Sequence, residues 1–278
     1  MAAQAAQVRQ RFPRVDMMVF GELSSFGPRP ALAQPMPGPA EDHFRAVARR
    51  HKVWLLPGSL YEMDNGRIYN TAPVINPDGD VVLRYRKMYP FLPYERGISA
   101  GSECAVFDVP DVGRFGVSIC YDMWFPETTR TLAWMGAEII LHPSLTNTID
   151  RDGELAIARA AAITNQCYFL DVNNCGDMAY GRSIVVGPEG EVMHQAGESP
   201  QVIPVTLDLE RVRDVRRNGT KGLGQPLKSF RDARITFPPL PGTRRVGGPC
   251  RPRTSGPARG GPARGVVTVE ILATETRG

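Results

Sequence analysis

The chain has 278 residues, of which 42% are hydrophobic and 22% charged, values typical of a globular protein with one large core or two smaller ones. The formal net charge is +4, but seven arginines and only two glutamates lie in residues 241–278, so the rest of the chain is nearly neutral. Because that part has neither a basic stripe nor an RNA-binding motif, we expect no nucleic-acid binding by the core.

The sequence also argues against membrane and metal sites. The first residues lack the apolar stretch of a signal peptide, and no segment approaches the roughly 18 consecutive apolar residues of a membrane span. We therefore expect a cytoplasmic protein that does not bind membranes. The five cysteines are widely spaced, with no CxxC pair and no histidines at metal-ligand spacing, so we expect neither disulfides nor a metal site.

Short apolar runs that are typical of strands alternate with segments of helix-forming composition. The strand-like runs are residues 17–20, 53–56, 68–75, 81–85, 115–119, 139–141, 168–172, 184–186 and 202–207. Predicted helices occupy residues 42–51, 128–136 and 153–166. This alternation indicates an α/β fold whose sheets are largely buried.

Two hairpin turns and a change of composition complete the predicted organisation. Residues 76–79 (NPDG) and 187–190 (GPEG) each join two strand-like runs, which predicts mixed sheets because hairpins pair strands in antiparallel fashion. Beyond about residue 240 large apolar side chains become rare, and Gly, Pro and Arg dominate. We therefore expect a domain over residues 1–240 and a disordered tail over residues 241–278.

Cys120 directly follows the strand-like run at 115–119 and precedes the predicted helix at 128–136. Such strand ends carry the reactive groups of many α/β proteins, and the positive end of a helix dipole lowers the pKa of a thiol. Cys120 is therefore a candidate nucleophile, although a free cysteine is also commonly a small buried hydrophobe. It shares no motif with a histidine, so another group must act as its base.

Lys87, Glu95 and Glu22 are the other candidates. Only four of the 33 basic residues are lysines, so a lysine directly after Arg86 suggests a need for a compact ammonium donor. Glu95 follows Lys87 by eight residues across a loop interrupted by prolines, and Glu22 follows the run at 17–20. Considered singly, Lys87 is equally consistent with a solvated lysine, and Glu22 is better explained as a surface turn residue.

Taken together, these segments resemble the nitrilase, or carbon-nitrogen hydrolase, superfamily. The matching residues are Glu22 in VFGEL, Lys87 in YRKMYPF, Glu95 in PYERG and Cys120 in ICYDMWFPE, and the resemblance spans about residues 15–230. The segment CYDMWFPE is most similar to the amidase branch. The resemblance implies a four-layer αββα sandwich with mixed sheets, assembled as a homo-oligomer.

The resemblance also implies a mechanism and a substrate class. Cys120 would attack the carbonyl of a small amide to form a thioester, with Glu22 as the general base and Glu95 as an orienting group. Lys87 and the backbone N–H of Tyr121 would stabilise the oxyanion. No cofactor is required. Candidate substrate-binding residues are Trp124, Phe125 and His142, the last with a structural role as its alternative.

The sequence departs from the superfamily at its amino terminus, where members normally have a strand and a helix before the strand that carries the glutamate. Residues 2–11 match the helix, but the first strand is missing, which would leave a neighbouring strand edge exposed. Three functions therefore remain open: an amidase; a nitrilase or N-carbamoyl hydrolase with the same four residues; and a catalytically silent binding or assembly subunit.

Overall fold

In a computed structural model, which describes residues 1–235, 253–254 and 265–273, two β-sheets stack face to face with helices on their outer sides. The helices are α1 (Ala2–Arg11), α2 (Pro39–His51), α3 (Pro126–Trp134), α4 (Arg151–Asn165), α5 (Leu209–Asn218) and α6 (Pro226–Asp232), with short 3₁₀ helices at Pro30–Leu32 and Cys120–Trp124. No helix in the described residues is long and apolar enough to cross a membrane.

The strands form one sheet of eight and one of seven. They are β1 (Met17–Phe20), β2 (Trp54–Leu56), β3 (Leu60–Asp64), β4 (Arg67–Ile75), β5 (Val81–Arg86), β6 (Ile98–Ser99), β7 (Ala105–Val109), β8 (Gly113–Val117), β9 (Ile139–Ser144), β10 (Tyr168–Asn173), β11 (Ile184–Val186), β12 (Val192–Gln195), β13 (Gln201–Asp208), β14 (Arg253–Thr254) and β15 (Val266–Ala273). The first sheet has the order β13-β15-β1-β2-β4-β3, with β5 and β6 also paired to β4, and the second has the order β12-β11-β10-β9-β8-β7-β14.

Three apolar layers hold these elements together. Between the sheets, alternate side chains such as Val19 of β1 and Val117 of β8 are fully buried. A second layer packs α1 and α2 against the other face of β1, and a third packs α3 and α4 against β9 and β10. Parallel pairs such as β8 with β9 coexist with antiparallel pairs such as β4 with β5. The predicted αββα sandwich with mixed sheets is confirmed.

The predicted elements are present, with differences at their ends. The helices α2 and α3 begin earlier than predicted, at Pro39 and Pro126, because proline suits the first turn of a helix, where its missing N–H leaves no hydrogen bond unmade. The prediction did not include the strands β3, β7 and β12 or the helices α5 and α6.

The prediction that residues 241–278 are disordered is wrong for Val266–Ala273, which form the buried strand β15. The composition that motivated it ends near Gly265, and the following VVTVEILA is rich in the β-branched residues that favour strands. Residues 253–254 also pair as a strand with β7. The rest of the predicted tail, residues 241–252, 255–264 and 274–278, lies outside the described residues.

No strand precedes α1 in the described residues, as expected, but strand β15 changes the expected consequence of this departure. It lies between β13 and β1, and pairs in parallel with β1 from Met17 opposite Val269 to Phe20 opposite Leu272. The edge of the strand that leads to Glu22 is therefore covered, by a strand from the carboxyl-terminal part of the chain. Val269 and Ile271 point into the core between the sheets.

Truncating Ile271 to alanine should lower the free energy of unfolding by about 2–5 kcal/mol, because a fully buried side chain is lost from the central core. Val266→Ala is the matched control, since Val266 lies on the same strand and is 45% exposed. Chemical denaturation of both variants measures the difference. Equal losses would mean that β15 does not pack in the core as described.

Candidate active site

Residues far apart in sequence meet where three strands end. Glu22 follows β1 by two residues, Lys87 follows β5 directly, and Cys120 follows β8 by three residues. Glu95 lies on the loop after Lys87, and all four side chains are less than 10% exposed. The structure therefore brings the four sequence-predicted residues into one buried cluster.

Lys87 lies at the centre of this cluster. Its Nζ is 2.9 Å from Oε1 of Glu22 and 2.7 Å from Oε2 of Glu95. Burial by itself disfavours the ammonium, but the negative charges of Glu22 and Glu95 raise the pKa of Lys87 well above its ordinary value. Lys87 is therefore a permanent cation at any physiological pH.

Glu22 contacts Lys87 and lines the same cavity as the thiol. Burial raises its pKa above the ordinary value of 4.5, and the charge of Glu95 raises it further. The ammonium of Lys87 and a hydrogen bond with Cys120 oppose this shift. A carboxylate with a raised pKa beside a thiol is suited to accept and return a proton near neutral pH.

Cys120 has an unusual backbone and a protonated thiol. Its φ of +45° lies in the left-handed region, which costs a non-glycine residue on the order of 1–2 kcal/mol. Burial and the charge of Glu22 raise the pKa of the thiol well above its ordinary value, although Lys87 lowers it. The expectation of a thiol pKa lowered by a helix dipole is thus wrong, because a short 3₁₀ helix separates Cys120 from α3 and the thiol is buried.

Asp122 connects the Lys87 loop to the turn that carries Cys120. One carboxylate oxygen accepts hydrogen bonds from the backbone N–H groups of Met88 and Tyr89, and the other accepts from the Tyr85 hydroxyl and the Ile119 N–H. Burial raises the pKa of Asp122 to about 6 even though these bonds favour the charged form. Asp122 thereby fixes the two segments relative to each other.

Two asparagines that the sequence analysis did not single out position Glu22. Nδ2 of Asn70 lies 2.7 Å from Oε1 of Glu22 and 2.9 Å from Oε1 of Glu95, and Nδ2 of Asn174 donates to the Glu22 carbonyl. A Cβ on Gly21 would lie 2.4 Å from the Asn174 side chain, so glycine leaves the space that Asn174 needs. For Asn70, the sequence does offer a signal: its amide lies within the strand-like run at 68–75. A polar side chain that is buried in a sheet needs a hydrogen-bond partner.

A cavity of about 150 Å³ opens beside Cys120, and Glu22, Lys87 and Glu95 also line it. Tyr121 and Trp124 lie in its wall, as the sequence analysis predicts for Trp124. The volume suits a small molecule with a few non-hydrogen atoms better than a polypeptide.

Phe125 and His142, the other predicted substrate-binding residues, are not among the residues that line the cavity. The Phe125 ring stacks on Tyr89, with ring centroids 3.5 Å apart. His142 is fully buried on β9, where its Nδ1 lies 2.7 Å from the Ser118 hydroxyl, and burial lowers its pKa to about 4. Both side chains therefore pack near the site without lining the cavity, and their binding of substrate stays a prediction.

The chain is similar in sequence to a known enzyme family and to curated members of it. The family model for carbon-nitrogen hydrolases matches residues 1–217. The chain is 31% identical to omega-amidase NIT2 of Homo sapiens over 204 residues, which are 68% of this chain and 73% of the human protein.

Two solved structures share the fold. Nit3 of Saccharomyces cerevisiae, a member of branch 10 of the nitrilase superfamily, superposes with a TM-score of 0.70 at 30% identity, over 78% of this chain and 85% of that chain. The carbon-nitrogen hydrolase from Helicobacter pylori G27 superposes with a TM-score of 0.72 at 26% identity, over 84% of this chain and 88% of that chain.

Asp122→Ala should lower the free energy of unfolding by more than about 3 kcal/mol, because four donors lose their acceptor and each buried unpaired group costs about 1–3 kcal/mol. Asp214→Ala is the control, since Asp214 accepts a hydrogen bond from Asn218 on an exposed part of α5. Denaturant unfolding measures both variants. A loss no greater than that of the control would contradict the linking role of Asp122.

Proposed function

Because the chain belongs to the carbon-nitrogen hydrolase family, we propose that it hydrolyses a small carboxamide to a carboxylic acid and ammonia through a thioester on Cys120. One observation carries this proposal: the thiol of Cys120 lines the same small cavity as the Glu22 carboxylate, which Lys87 contacts at 2.9 Å. The human relative is an omega-amidase, which supports the same reaction class.

In the first half of the proposed reaction, Glu22 acts as the base and Cys120 as the nucleophile. Glu22 takes the thiol proton while the sulfur attacks the carbonyl carbon. Because the raised pKa keeps the resting thiol protonated, a neighbouring base is needed, and Glu22 lines the same cavity as the thiol. Glu22 then protonates the leaving nitrogen, the C–N bond breaks, and ammonia departs.

Stabilisation of the oxyanion follows from the donors at the site. A lysine ammonium has three N–H donors, and the contacts of Lys87 with Glu22 and Glu95 occupy two of them. The third is available for the carbonyl oxygen, together with the backbone N–H of Tyr121, which lines the cavity. Such preorganised donors are typically worth about a hundred- to a thousandfold in rate each.

The second half of the reaction releases the acid. Water replaces ammonia, Glu22 removes a proton from it, and the resulting hydroxide attacks the thioester carbonyl. The C–S bond breaks, the acid leaves, and Glu22 returns the proton to the sulfur. Glu95 orients Lys87 throughout, and its own carboxylate is fixed by the N–H groups of Asn70 and Phe91.

Assembly and location stay predictions. A homo-oligomer through the helical faces is supported by the exposed Trp134 of α3 and Phe230 of α6, whose rings lie 5.2 Å apart. Such exposed aromatic side chains are enriched at protein interfaces. A cytoplasmic location rests on the sequence analysis alone.

The test of the function is ammonia release from short aliphatic amides, with nitriles and N-carbamoyl amino acids as alternative substrates. We expect amides to be preferred, and Cys120→Ala to abolish release because no other thiol lines the cavity among the described residues. Cys167→Ala is the control, since Cys167 is a buried thiol packed in the layer of α4. If folded wild-type protein releases no ammonia from any of the amides, the proposal is wrong.

The pH dependence of kcat/KM should report Glu22. The base must be ionised, so kcat/KM rises with pH through the Glu22 pKa, and burial places that rise above pH 4.5. Because the charge of Glu95 raises the pKa of Glu22, Glu95→Gln should move the rise to lower pH, whatever its effect on the maximal rate.

Glu127→Gln is the control for the pH profile, since Glu127 lies on the exposed first turn of α3. Its profile should match that of the wild type. A rise that Glu95→Gln leaves in place, or moves to higher pH, would mean that another group is the base.

A further inference from the structure

The cavity beside Cys120 is acidic. Its charged lining residues are Glu22, Lys87, Glu95, Asp150 and Glu154. The single cation of this set, Lys87, already contacts two carboxylates, at 2.9 and 2.7 Å. Within the described part of the chain, no other lysine, arginine or histidine lines the cavity. A carboxylate on a substrate would therefore find no cation free of an acidic partner.

Glu154, like Asp150, is an acidic lining residue that the proposed reaction leaves without a role. It lies in the first turn of α4, is only 3% exposed, and accepts a hydrogen bond of 3.0 Å from the Thr146 hydroxyl. The Thr146 hydroxyl lies 3.8 Å from the sulfur of Cys120. The Glu154 carboxylate is therefore within roughly 7 Å of the sulfur, so an acyl chain of two or three carbons on Cys120 reaches it.

Arg151 does not cancel this negative charge. Its guanidinium is 1% exposed and is not part of the cavity wall. It contacts Glu154 at 3.0 Å and Asp171 at 2.7 Å, so one cation serves two carboxylates. Burial and Asp171 raise the pKa of Glu154. A bound cation would oppose that shift by favouring the ionised form.

The uncharged part of the wall also suits a cation. Phe91, Tyr121 and Trp124 line the cavity, and the Phe91 and Tyr121 ring centroids are 4.9 Å apart. The faces of aromatic rings attract ammonium groups, most strongly where water is excluded. A carboxylate at the same place would lose its hydration and meet like charges, which disfavours binding.

We propose that Glu154 makes this enzyme select short carboxamides whose acyl chain carries an ammonium group, in preference to amides that carry a carboxylate. The inference rests on the proposed amide hydrolysis and names its substrate class. The ammonium lies two or three carbons from the scissile carbonyl, between the Glu154 carboxylate and the aromatic wall. Glu154 is then a specificity residue that contacts the substrate away from the reacting bond.

Three amides of matched length test the proposal at pH 7.5, where an alkylammonium is charged. β-Alaninamide, butyramide and succinamate carry an ammonium, a methyl and a carboxylate group at the same position. We expect kcat/KM to fall in that order, with at least a tenfold difference between the first and the last and most of it in KM. Succinamate hydrolysed as well as β-alaninamide, or better, would overturn the proposal.

Variants on α4 assign the preference to Glu154. Glu154→Gln should remove most of the advantage of β-alaninamide over succinamate. Asp152→Asn is the matched control, since Asp152 lies two residues away on the same helix with its side chain 80% exposed. It should keep the wild-type ratio. An unchanged ratio in Glu154→Gln would overturn the role of Glu154.

Binding measurements decide the question if Glu154→Gln does not fold. Calorimetry with Cys120→Ala should then show tighter binding of β-alaninamide than of succinamate, and the reverse order would contradict the proposal. The outcomes also separate the two proposals. If kcat/KM for succinamate equals or exceeds that for β-alaninamide, only the proposed substrate class is overturned. If folded wild-type protein hydrolyses none of the three amides, the proposed function is overturned.

Discussion

The site depends on the ammonium of Lys87 between the carboxylates of Glu22 and Glu95. An unpaired charge in this interior would cost far more than the chain's marginal stability allows, so each member is retained because the others are present. The same pairing sets the chemistry. It leaves Glu22 with a raised pKa beside a protonated thiol, and leaves Lys87 permanently charged.

Such a cluster works only if the strand ends that carry it are held rigidly. Asp122 links the Lys87 loop to the Cys120 turn through four hydrogen bonds, and Asn70 donates to both glutamates. Behind Glu22, strand β1 is flanked by β2 on one side and by β15 on the other. Strand β15 therefore helps to position Glu22, the proposed base, although the two are far apart in the sequence.

Residues other than Glu22, Lys87, Glu95 and Cys120 determine the charge of one wall of the cavity. Glu154 and its partner Arg151 lie on α4, outside the segments that define the reaction, and they give one wall of the cavity its charge. The proposed division is therefore between strand ends that carry out bond breaking and a helix that selects the acyl group. This separation allows the substrate to change without disturbing the ion pairs of Lys87 with Glu22 and Glu95.

The sequence by itself indicated an α/β fold with mixed sheets, because strand periodicity and turn chemistry are local properties of the chain. The four-layer sandwich and the set of four candidate residues came from the resemblance of its motifs to the carbon-nitrogen hydrolase superfamily. The sequence also predicted α1 at its observed bounds. Only the tertiary structure decided the direction of the Cys120 pKa, the absence of His142 from the cavity wall and the place of β15 in the sheet. Each of these depends on which distant residues become neighbours, since burial, nearby charge and strand pairing arise only when the two sheets stack.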